Sequence, residues 1–435
     1  MKGKKIFILL FLIAFMLVTI NTVSFTQEEP HKLTLWGWSQ TIEHLKSEEG
    51  PFKEAYPEYA DVVFEYVELP WLELHTKLLT AVASGVGAPD VTIIEGAFSN
   101  RYAGRGLIDL TEKLAPYRDK VIPGKWGEGY LKGRQYGVPF DCGPAGVYYR
   151  ADIFEEAGIT ELPETWDEFR EIGRKLSKDG KYMITLDFVS PNNLVFLFYH
   201  GLLVQQGQGM YDKDGNVLVS NDKAVRAAQL VYDMVNVDKI AYTVAENRTP
   251  GWYSAVQDGT IITIPGAAWF QYSIETNTTG LEGKWRVMKM PAFEKGGNRA
   301  ANIGGSVFAI PSQTKSPELA WKFIEFISLT VEGQIAMYKG AGPFPSLIEA
   351  YNDPFFDEPD PYLGGQKARK MWAEIALEIP EFYYMPTTRE DWDILNAYLI
   401  KICNDEMGIQ EGLDKAAEDI QQGLITIGFD SKIIK

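Results

Sequence analysis

The chain has 435 residues, a formal net charge of −17 and two cysteines. This acidic balance repels phosphate backbones and anionic lipids, so we expect neither nucleic acid nor a membrane surface as a partner. The two cysteines, Cys142 and Cys403, are too few for a disulfide scaffold. The sequence leaves open whether they form one bridge or remain as two buried thiols. The length favours two domains rather than one.

The first residues have the pattern of a secretory signal. Lysines at positions 2, 4 and 5 precede an apolar run over residues 6–20, which is shorter than the roughly 20 residues that span a membrane. We therefore predict a cleaved signal peptide over residues 1–24, with an uncleaved anchor as the alternative. No cysteine lies near the apolar run to carry a bacterial lipid anchor. The mature protein is expected to be periplasmic or secreted.

Strand-like and helix-like segments alternate at the start of the predicted mature chain. The residue types predict strands over 32–38, 61–69 and 89–94, with helices over 48–56 and 71–84 between them. The expected buried face of the second helix consists of Leu72, His75, Leu78, Leu79 and Val82. This alternation favours a parallel sheet covered by helices, in which ligands bind beyond the carboxyl ends of the strands.

Further along, local signals mark helix starts and one turn. Thr165 and Glu168 have the spacing of a capping box. The buried stripe of that helix is expected to be Trp166, Phe169, Ile172 and Leu176. Another helix should begin at 316–317, and a last one should cover 413–424. Residues 212–216 predict a hairpin turn rather than a calcium loop, because the closing glutamate of such a loop is missing.

The sequence lacks the motifs of common catalytic and metal sites. It contains no nucleophile elbow and no P-loop, and its four histidines form no zinc motif. We therefore expect no metal and no cofactor. A secreted glycoside hydrolase stays open, because the 59 acidic residues could include a facing pair whose separation the sequence does not give.

An ordered set of short segments resembles the extracellular solute-binding proteins of family 1, the carbohydrate receptors of ABC importers. Maltodextrin-binding protein is the best-known relative. The matching segments are LTLWGW, GVGAPDVTIIEG, AGRGLIDLTE, YGVPFD, VYYRADIFEEAGI, LPETWDEF, QDGTIITIPGAAW, IGGSVFAI, SPELAWKFIEFI, GPFP and LDKAAEDI. They follow the family's order over nearly all of the predicted mature chain. No single segment is specific, so the resemblance depends on the whole set.

The resemblance implies an α/β chain with the two-lobed, type II fold of periplasmic binding proteins, in which parallel-rich sheets are covered by helices and joined by hinge crossings. Lobe I is expected to contain residues 31–141 and 303–345, and lobe II residues 142–302 and 346–435. The implied function is not enzymatic. A monomer would bind an oligosaccharide, a small sugar or a polyol between its lobes and deliver it to the permease subunits of an ABC transporter. A polyamine or amino-acid receptor of the same fold is a further alternative.

The resemblance also implies which residues bind the ligand. Trp269 follows a loop similar to the family's stacking loop, and Trp392 resembles a stacking aromatic on the penultimate helix. Trp36 and Trp38 are expected to point to opposite faces of one strand, so only one should reach the ligand, and Trp38 is preferred because it lies nearer the strand end. The full expected set is Trp36, Trp38, Gln40, Glu95, Asp141, Asn193, Trp252, Trp269, Gly304, Gly305, Arg389 and Trp392.

Several of these residues keep a second interpretation. Glu95 and Asp141 could instead be a helix cap or a solvated acid. Arg389 could pair with a neighbouring acid instead of a ligand hydroxyl. Gly304 and Gly305 resemble a glycine turn at a hinge crossing, where backbone can approach the ligand.

Overall fold

A computed structural model describes residues 31–435. The predicted signal peptide, residues 1–24, lies outside the described residues. Among residues 31–435, no helix has the length and apolar character needed to cross a lipid bilayer.

Strands and helices alternate along the described chain. The strands are β1 (Lys32–Gly37), β2 (Val63–Glu68), β3 (Val91–Glu95), β4 (Tyr130–Leu131), β5 (Arg134–Gln135), β6 (Val138–Arg150), β7 (Tyr182–Thr185), β8 (Ala241–Tyr242), β9 (Ile261–Ala267), β10 (Trp285–Lys289) and β11 (Asn302–Ala309). The helices are α1 (Ser39–Ser47), α2 (Glu49–Ala55), α3 (Trp71–Ser84), α4 (Gly96–Tyr102), α5 (Thr111–Leu114), α6 (Ala151–Glu156), α7 (Trp166–Leu176), α8 (His200–Gln205), α9 (Asp222–Tyr232), α10 (Pro250–Gln257), α11 (Phe270–Asn277), α12 (Pro317–Leu329), α13 (Val331–Ala341), α14 (Ala368–Glu378), α15 (Thr388–Cys403) and α16 (Ile409–Thr426). Short 3₁₀ or π-helical turns cover Pro57–Tyr59, Ala115–Tyr117, Pro123–Lys125, Val195–Tyr199, Asp233–Val237, Ile348–Asn352 and Pro354–Asp357.

The larger sheet has the strand order β2-β1-β3-β11-β6-β9-β7-β8, with β10 also pairing with β6. Strand β1 is parallel to both β2 and β3, so the predicted parallel opening is confirmed. Strand β11 is antiparallel to β3 and to β6. The long strand β6 pairs with β11 through its first half and with β9 and β10 through its second half. It therefore links two halves of the sheet.

The buried apolar side chains form two clusters, which we call the first and the second core. The first core contains side chains from β1, β3, α3 and α12, including Leu33, Ile94 and Phe323. The second core contains Trp166, Trp252 and Trp285 together with the C-terminal helices. The linking strand contributes Val138 and Phe140 to the first core and Val147 and Tyr148 to the second. The fold is therefore a two-lobed α/β arrangement.

The buried face of α3 differs from the prediction. Leu74, His75, Leu78 and Ala81 are buried, whereas Leu72 and Leu79 are 58% and 38% exposed. Apolar residues lie on two sides of this helix, and both sets fit a helical repeat. Which side is covered depends on the packing of α3 against the sheet, which the repeat does not specify.

Most of the local predictions for the middle of the chain are confirmed, although Ile172 and Leu176 of the expected buried stripe are only half-buried. Thr165 and Glu168 form the reciprocal capping box, and Trp166 and Phe169 are buried beneath the helix. Asp212 accepts hydrogen bonds from the backbone N–H groups of Asp214 and Asn216, both at 2.9 Å, inside a tight turn. Both cysteines are buried and free, so of the two possibilities that the sequence left open, the structure has two buried thiols.

The capping box gives a test of local stability. Replacing Thr165 with Ala removes the hydroxyl that accepts the N–H of Glu168 at 3.3 Å, and such caps contribute about 1 kcal/mol. We expect Thr165→Ala to lower the urea midpoint of the second lobe. Thr76 is an exposed helix-interior residue whose hydroxyl bonds to Leu72 O, so Thr76→Ala should leave the midpoint unchanged or raise it slightly. Equal midpoints for wild type and Thr165→Ala would contradict the assignment.

Candidate ligand-binding cleft

A cavity of about 450 Å³ lies between the two cores. The end of β1, the end of β3 and the start of α3 border it on the side of the first core. On the other side it is bordered by the start of α11, the start of α14 and the turn at Pro354–Asp357. The crossing of β6 and β11 forms its floor. Its lining includes Trp38, Trp71, Glu95, Phe140, Asp141, Phe196, Trp269, Gln271, Glu275, Gly304, Gly305, Ser306, Phe355, Asp360, Arg369 and Trp372.

Tryptophan rings stand on opposite walls of this cleft. Trp269 directly precedes α11, and its indole N–H donates to the carbonyl of Ile303 at 2.8 Å. That bond ties the ring to the floor strand and fixes its orientation. On the opposite wall Trp71 is 39% exposed, and its ring packs edge-to-face with that of Phe98, with centroids 5.4 Å apart. Exposed aromatic faces of this kind can cover the apolar C–H face of a ligand.

Polar groups between the rings are held in place by one another. Gln271 donates from Nε2 to Glu275 at 2.6 Å and to Asp360 at 2.7 Å. Asp360 also accepts the backbone N–H groups that follow it, at Tyr362 and Leu363. The guanidinium of Arg369 lies 4.2 Å from the ring centroid of Phe355. Because these side chains are held by one another and by the backbone, they can exchange water for ligand hydroxyls at low entropic cost.

The carboxyl of Glu95 marks the end of β3. It caps α4 by accepting the N–H of Ala97 at 3.5 Å, while its other oxygen has no hydrogen-bond partner among the described residues. Burial, with a further contribution from the nearby carboxyl of Glu128, raises the pKa of Glu95 to about 8. Burial also raises the pKa of Glu128 to about 7, although its ion pair with Lys125 opposes this shift.

Two consecutive glycines shape the cleft floor. Gly304 and Gly305 have φ angles of 75° and 105°, a region that L side chains rarely adopt. A Cβ at Gly305 would lie 2.6 Å from Nζ of Lys125 and 2.9 Å from the carbonyl oxygen of Asp141. The pairing of β11 with β6 shifts register on both sides of this pair. Backbone groups at the floor are therefore turned away from the regular ladder.

The structure brings half of the expected ligand-binding residues to one cavity. Trp38, Glu95, Asp141, Trp269, Gly304 and Gly305 all line it. The carboxyl of Asp141 accepts the backbone N–H of Ser306 at 2.7 Å, which holds it at the crossing. Glu95 both caps a helix and borders the cavity, so its two interpretations are compatible.

Trp36 and Trp38 project from the same side of the strand, rather than from opposite faces as expected, and differ in how deeply their side chains are buried. They are two residues apart, a spacing that keeps side chains on one side of a strand, and both lie towards α3. Trp36 is 5% exposed, with Nζ of Lys77 4.8 Å from its ring centroid. Trp38 lies beyond the end of β1 and borders the cavity. Trp36 therefore belongs to the first core.

Four other expected residues lie away from the cavity. Trp252 is fully buried and donates to Thr185 Oγ1 at 3.0 Å. Trp392 is buried behind Phe196, with ring centroids 5.3 Å apart. Asn193 Nδ2 donates to Asp187 at 2.8 Å and to Ser190 at 3.0 Å. Arg389 pairs with Asp393 at 2.6 Å, the alternative that the sequence left open. The side chain of Gln40 lies outside the described residues.

Several cleft residues had no usable signal in the sequence. Asp360 comes from the irregular stretch between Asp357 and α14, where no periodicity indicates which side chains face inward, and Arg369 is the second residue of α14. Gln271 had a weak signal, since it lies two residues after Trp269 at the start of a helix. His44 was not expected, although it borders the cavity from α1. Burial lowers its pKa to about 4, which keeps it neutral at neutral pH.

The family model for the bacterial extracellular solute-binding protein matches residues 38–331. The chain belongs to this family. Its members are binding proteins, so the alternative of a glycoside hydrolase is not supported and the protein is not an enzyme.

Curated relatives extend over nearly the whole chain. An arabinooligosaccharide-binding protein from Bacillus subtilis is 26% identical, and the alignment covers 95% of this chain and 98% of that protein. A second arabinooligosaccharide-binding protein, from Halalkalibacterium halodurans, is 27% identical over 82% of this chain and 81% of its own. A lactose-binding protein from Rhizobium radiobacter is 25% identical over 85% and 87% of the two chains.

Solved structures of similar fold include the sugar-binding protein MalE from Xanthomonas citri, with a TM-score of 0.77 and 17% identity over 91% of this chain and 98% of that one. An ABC transporter associated binding protein from B. animalis subsp. lactis, solved with β-1,6-galactobiose, superimposes with a TM-score of 0.72. It is 22% identical over 93% and 100% of the two chains. At these identities the likeness establishes the two-lobed fold.

Gly305 at the cleft floor and Gly133 elsewhere in the chain give a matched pair of variants. Gly305→Ala places a Cβ against Lys125 and Asp141 and also strains the backbone, so we expect a loss of at least about 2 kcal/mol in the free energy of unfolding. Gly133 has a similar positive φ of 82° with open space around it. Gly133→Ala should therefore show the backbone strain alone, about 1 kcal/mol. Urea unfolding of both variants measures the difference, and equal losses would argue against the close packing at the floor.

Proposed function

We propose that this protein is the receptor of an ABC importer for a short neutral oligosaccharide. It binds the sugar in the cleft between its lobes and delivers it to the permease subunits. In this proposal the first 24 residues are removed on secretion and the mature protein acts as a monomer outside the cytoplasm. Lobe I consists of residues 31–141 and 303–345, and lobe II of residues 142–302 and 346–435.

The observation that carries the proposal is the composition of the cleft walls. Trp71 and Trp269 offer aromatic faces from opposite sides, and a sugar ring has an apolar C–H face that such rings cover favourably, at roughly 25 cal/mol per Å². Gln271, Asp360 and Arg369 offer donors and acceptors between them. The volume of about 450 Å³ falls in the range of small-molecule sites, roughly 300–1,000 Å³.

The relatives support a sugar over other solutes. Two of them bind arabinooligosaccharides and a third binds lactose, as their names state. An arabinooligosaccharide is therefore the first ligand to test, with galactosides next. None of these three relatives is named for a polyamine, but four carboxyls (Glu95, Asp141, Glu275 and Asp360) border the cleft beside Arg369 and Lys339, so a polyamine belongs in the same ligand panel.

Contacts between the lobes support closure as the binding step. Nδ2 of Asn100, in lobe I, donates to the carbonyl of Tyr384, in lobe II, at 2.6 Å. The ion pairs Arg101–Glu390 and Arg118–Glu381 cross between the same two regions. A ligand that touches both walls would stabilise this arrangement over an open one by its differential contacts.

A ligand panel tests the proposal directly. The mature protein would be screened by thermal shift against arabinotriose, lactose, β-1,6-galactobiose, maltose, putrescine and glutamate. Ligand at about 100 times its Kd adds about 2.7 kcal/mol of stability, which a melting scan detects. We expect a shift with one neutral sugar series and no chemical change of that sugar. A shift with putrescine or glutamate and with no sugar would overturn the proposal.

Trp269 gives the sharpest variant test. Trp269→Ala removes an aromatic face worth about 1.5–3 kcal/mol, so sugar affinity measured by calorimetry should fall roughly tenfold to a hundredfold. Trp269→Phe keeps a ring but loses the N–H bond to Ile303, and it should retain most of the affinity. Unchanged affinity of a folded Trp269→Ala variant would remove this ring from the site.

A further inference from the structure

Four ionisable side chains lie together at the cleft floor, where Glu95 and Asp141 border the cavity and Lys125 and Glu128 do not. Lys125 and Glu128 are completely buried, and Glu95 is 7% exposed. Asp141 lies at the crossing strand, bonded to the N–H of Ser306. We call these four residues the floor cluster. It contains three carboxyls and one ammonium, so full ionisation would leave a surplus of negative charge away from water.

Hydrogen bonding inside the floor cluster is incomplete. Lys125 pairs with one oxygen of Glu128, while the other oxygen of Glu128 and one oxygen of Glu95 have no partner among the described residues. A buried carboxylate without a partner is costly, and a proton relieves that cost by neutralising the group. The free oxygens of Glu95 and Glu128 are the places where such a proton can be held.

Lobe II seals the floor cluster from above. A Cβ at Gly96 would lie 2.7 Å from the carboxyl carbon of Glu128 and 2.9 Å from the ring of Tyr384, so both side chains pack closely against this glycine. Next to it the backbone of Gly127 contacts the carbonyl of Phe382. Tyr384 and Phe382 belong to the segment between α14 and α15. When the lobes separate, this cover is withdrawn and water reaches the carboxyls.

We propose that Glu95 and Glu128 share one proton in the closed protein, and that closing the lobes on a ligand takes this proton up from solvent. The inference rests on the proposed function for the identity of the ligand and for closure as the binding step. The shared proton itself can be measured without any ligand, because the contacts of Asn100 with Tyr384, Arg101 with Glu390 and Arg118 with Glu381 join the two lobes directly.

The charged and titratable groups around the pair determine the sign of the effect. The positive charges of Lys125, three residues before Glu128, and of Arg389 on α15 favour the ionised form of Glu95. Burial and the nearby carboxyl of Glu128 oppose it more strongly. Asp141 on β6 disfavours ionisation of Glu128. Cys142 beside it and Tyr384 above it stay neutral, because burial raises the pKa of both groups. The closed state therefore binds more protons near neutral pH than an open, solvated one.

Linkage gives the pH window. Each raised carboxyl pKa contributes stability that is complete below its ordinary value of 4.5 and is lost as pH rises through about 7 to 8. Closure should therefore become less favourable from about pH 5 to about pH 8 and level off above that. With one proton taken up, ligand affinity should fall by up to about tenfold per pH unit across that window.

The first experiment needs no ligand. Urea unfolding of wild type, Glu128→Gln and Glu112→Gln would be followed from pH 6 to pH 9. Glu112 is exposed in α5, so it controls for the loss of a surface charge. Burial also raises the pKa of Glu48 and of Asp391 to about 7, and both groups contribute to the pH dependence of stability in wild type. The test is therefore the difference in pH dependence between wild type and each variant. We expect a much shallower loss of stability with rising pH in Glu128→Gln, with Glu95→Gln as the second variant.

The second experiment measures the proton directly. Arabinotriose would be titrated into the protein at pH 7.5 in phosphate and in Tris, whose ionisation enthalpies differ. We expect a buffer dependence equal to uptake of up to about one proton per ligand in wild type and Glu112→Gln, and a smaller one in Glu128→Gln, where burial alone still raises the pKa of Glu95. Binding without buffer dependence would overturn the proposal. Failure of arabinotriose and all other panel sugars to bind would instead contradict the proposed function. In that case the urea comparison by itself still tests whether Glu95 and Glu128 share a proton. If the free energy of unfolding falls with pH equally in wild type, Glu128→Gln and Glu95→Gln, the proposal of a shared proton is overturned.

Discussion

The antiparallel pairing of β6 with β11 joins the two cores, and the cleft residues are arranged around it. Ser306 lies opposite Asp141 and Gly305 opposite Cys142, with irregular register on either side. Pro139 and Pro144 on β6 have no N–H to donate, so neither can complete a regular ladder there. The interrupted pairing leaves room for the glycine pair and places Asp141 at the cavity. A continuous ladder would have filled the floor with ordinary strand side chains.

The same crossing explains why charge is buried there. Lys125 reaches under Gly305, a position that only a residue without Cβ leaves open, and its ammonium offsets one of three carboxyls. Ion pairs removed from water seldom add stability, because desolvation opposes the attraction. Their presence at the floor fits a role in binding more readily than a role in holding the lobes. Apolar packing within each core supplies the stability, and the cluster contributes a response to ligand and pH.

The aromatic residues separate into two populations that composition does not distinguish. Trp252 and Trp392 fill the second core, where their rings pack against Phe270 and Phe196. Trp71 and Trp269 keep part of their surface at the cleft. The resemblance to family segments led to Trp269, because its loop precedes a helix in a recognisable order. It was less useful for Trp392, since the side of a helix that faces the cavity depends on how neighbouring helices pack.

Local signals in the sequence determined the elements whose cause is also local. The capping box at Thr165, the parallel opening of β1, β2 and β3, and the turn at Asp212 all depend on residues within a few positions of one another. The order of the family segments determined the two-lobed fold and the general place of the cleft. Only the tertiary structure decided that Leu72 and Leu79 face solvent, that Asp360 and Arg369 reach the cleft, and that Glu95 and Glu128 lie together. These outcomes depend on contacts between segments far apart in the chain, and no short-range pattern encodes which of several apolar or charged faces such contacts will cover.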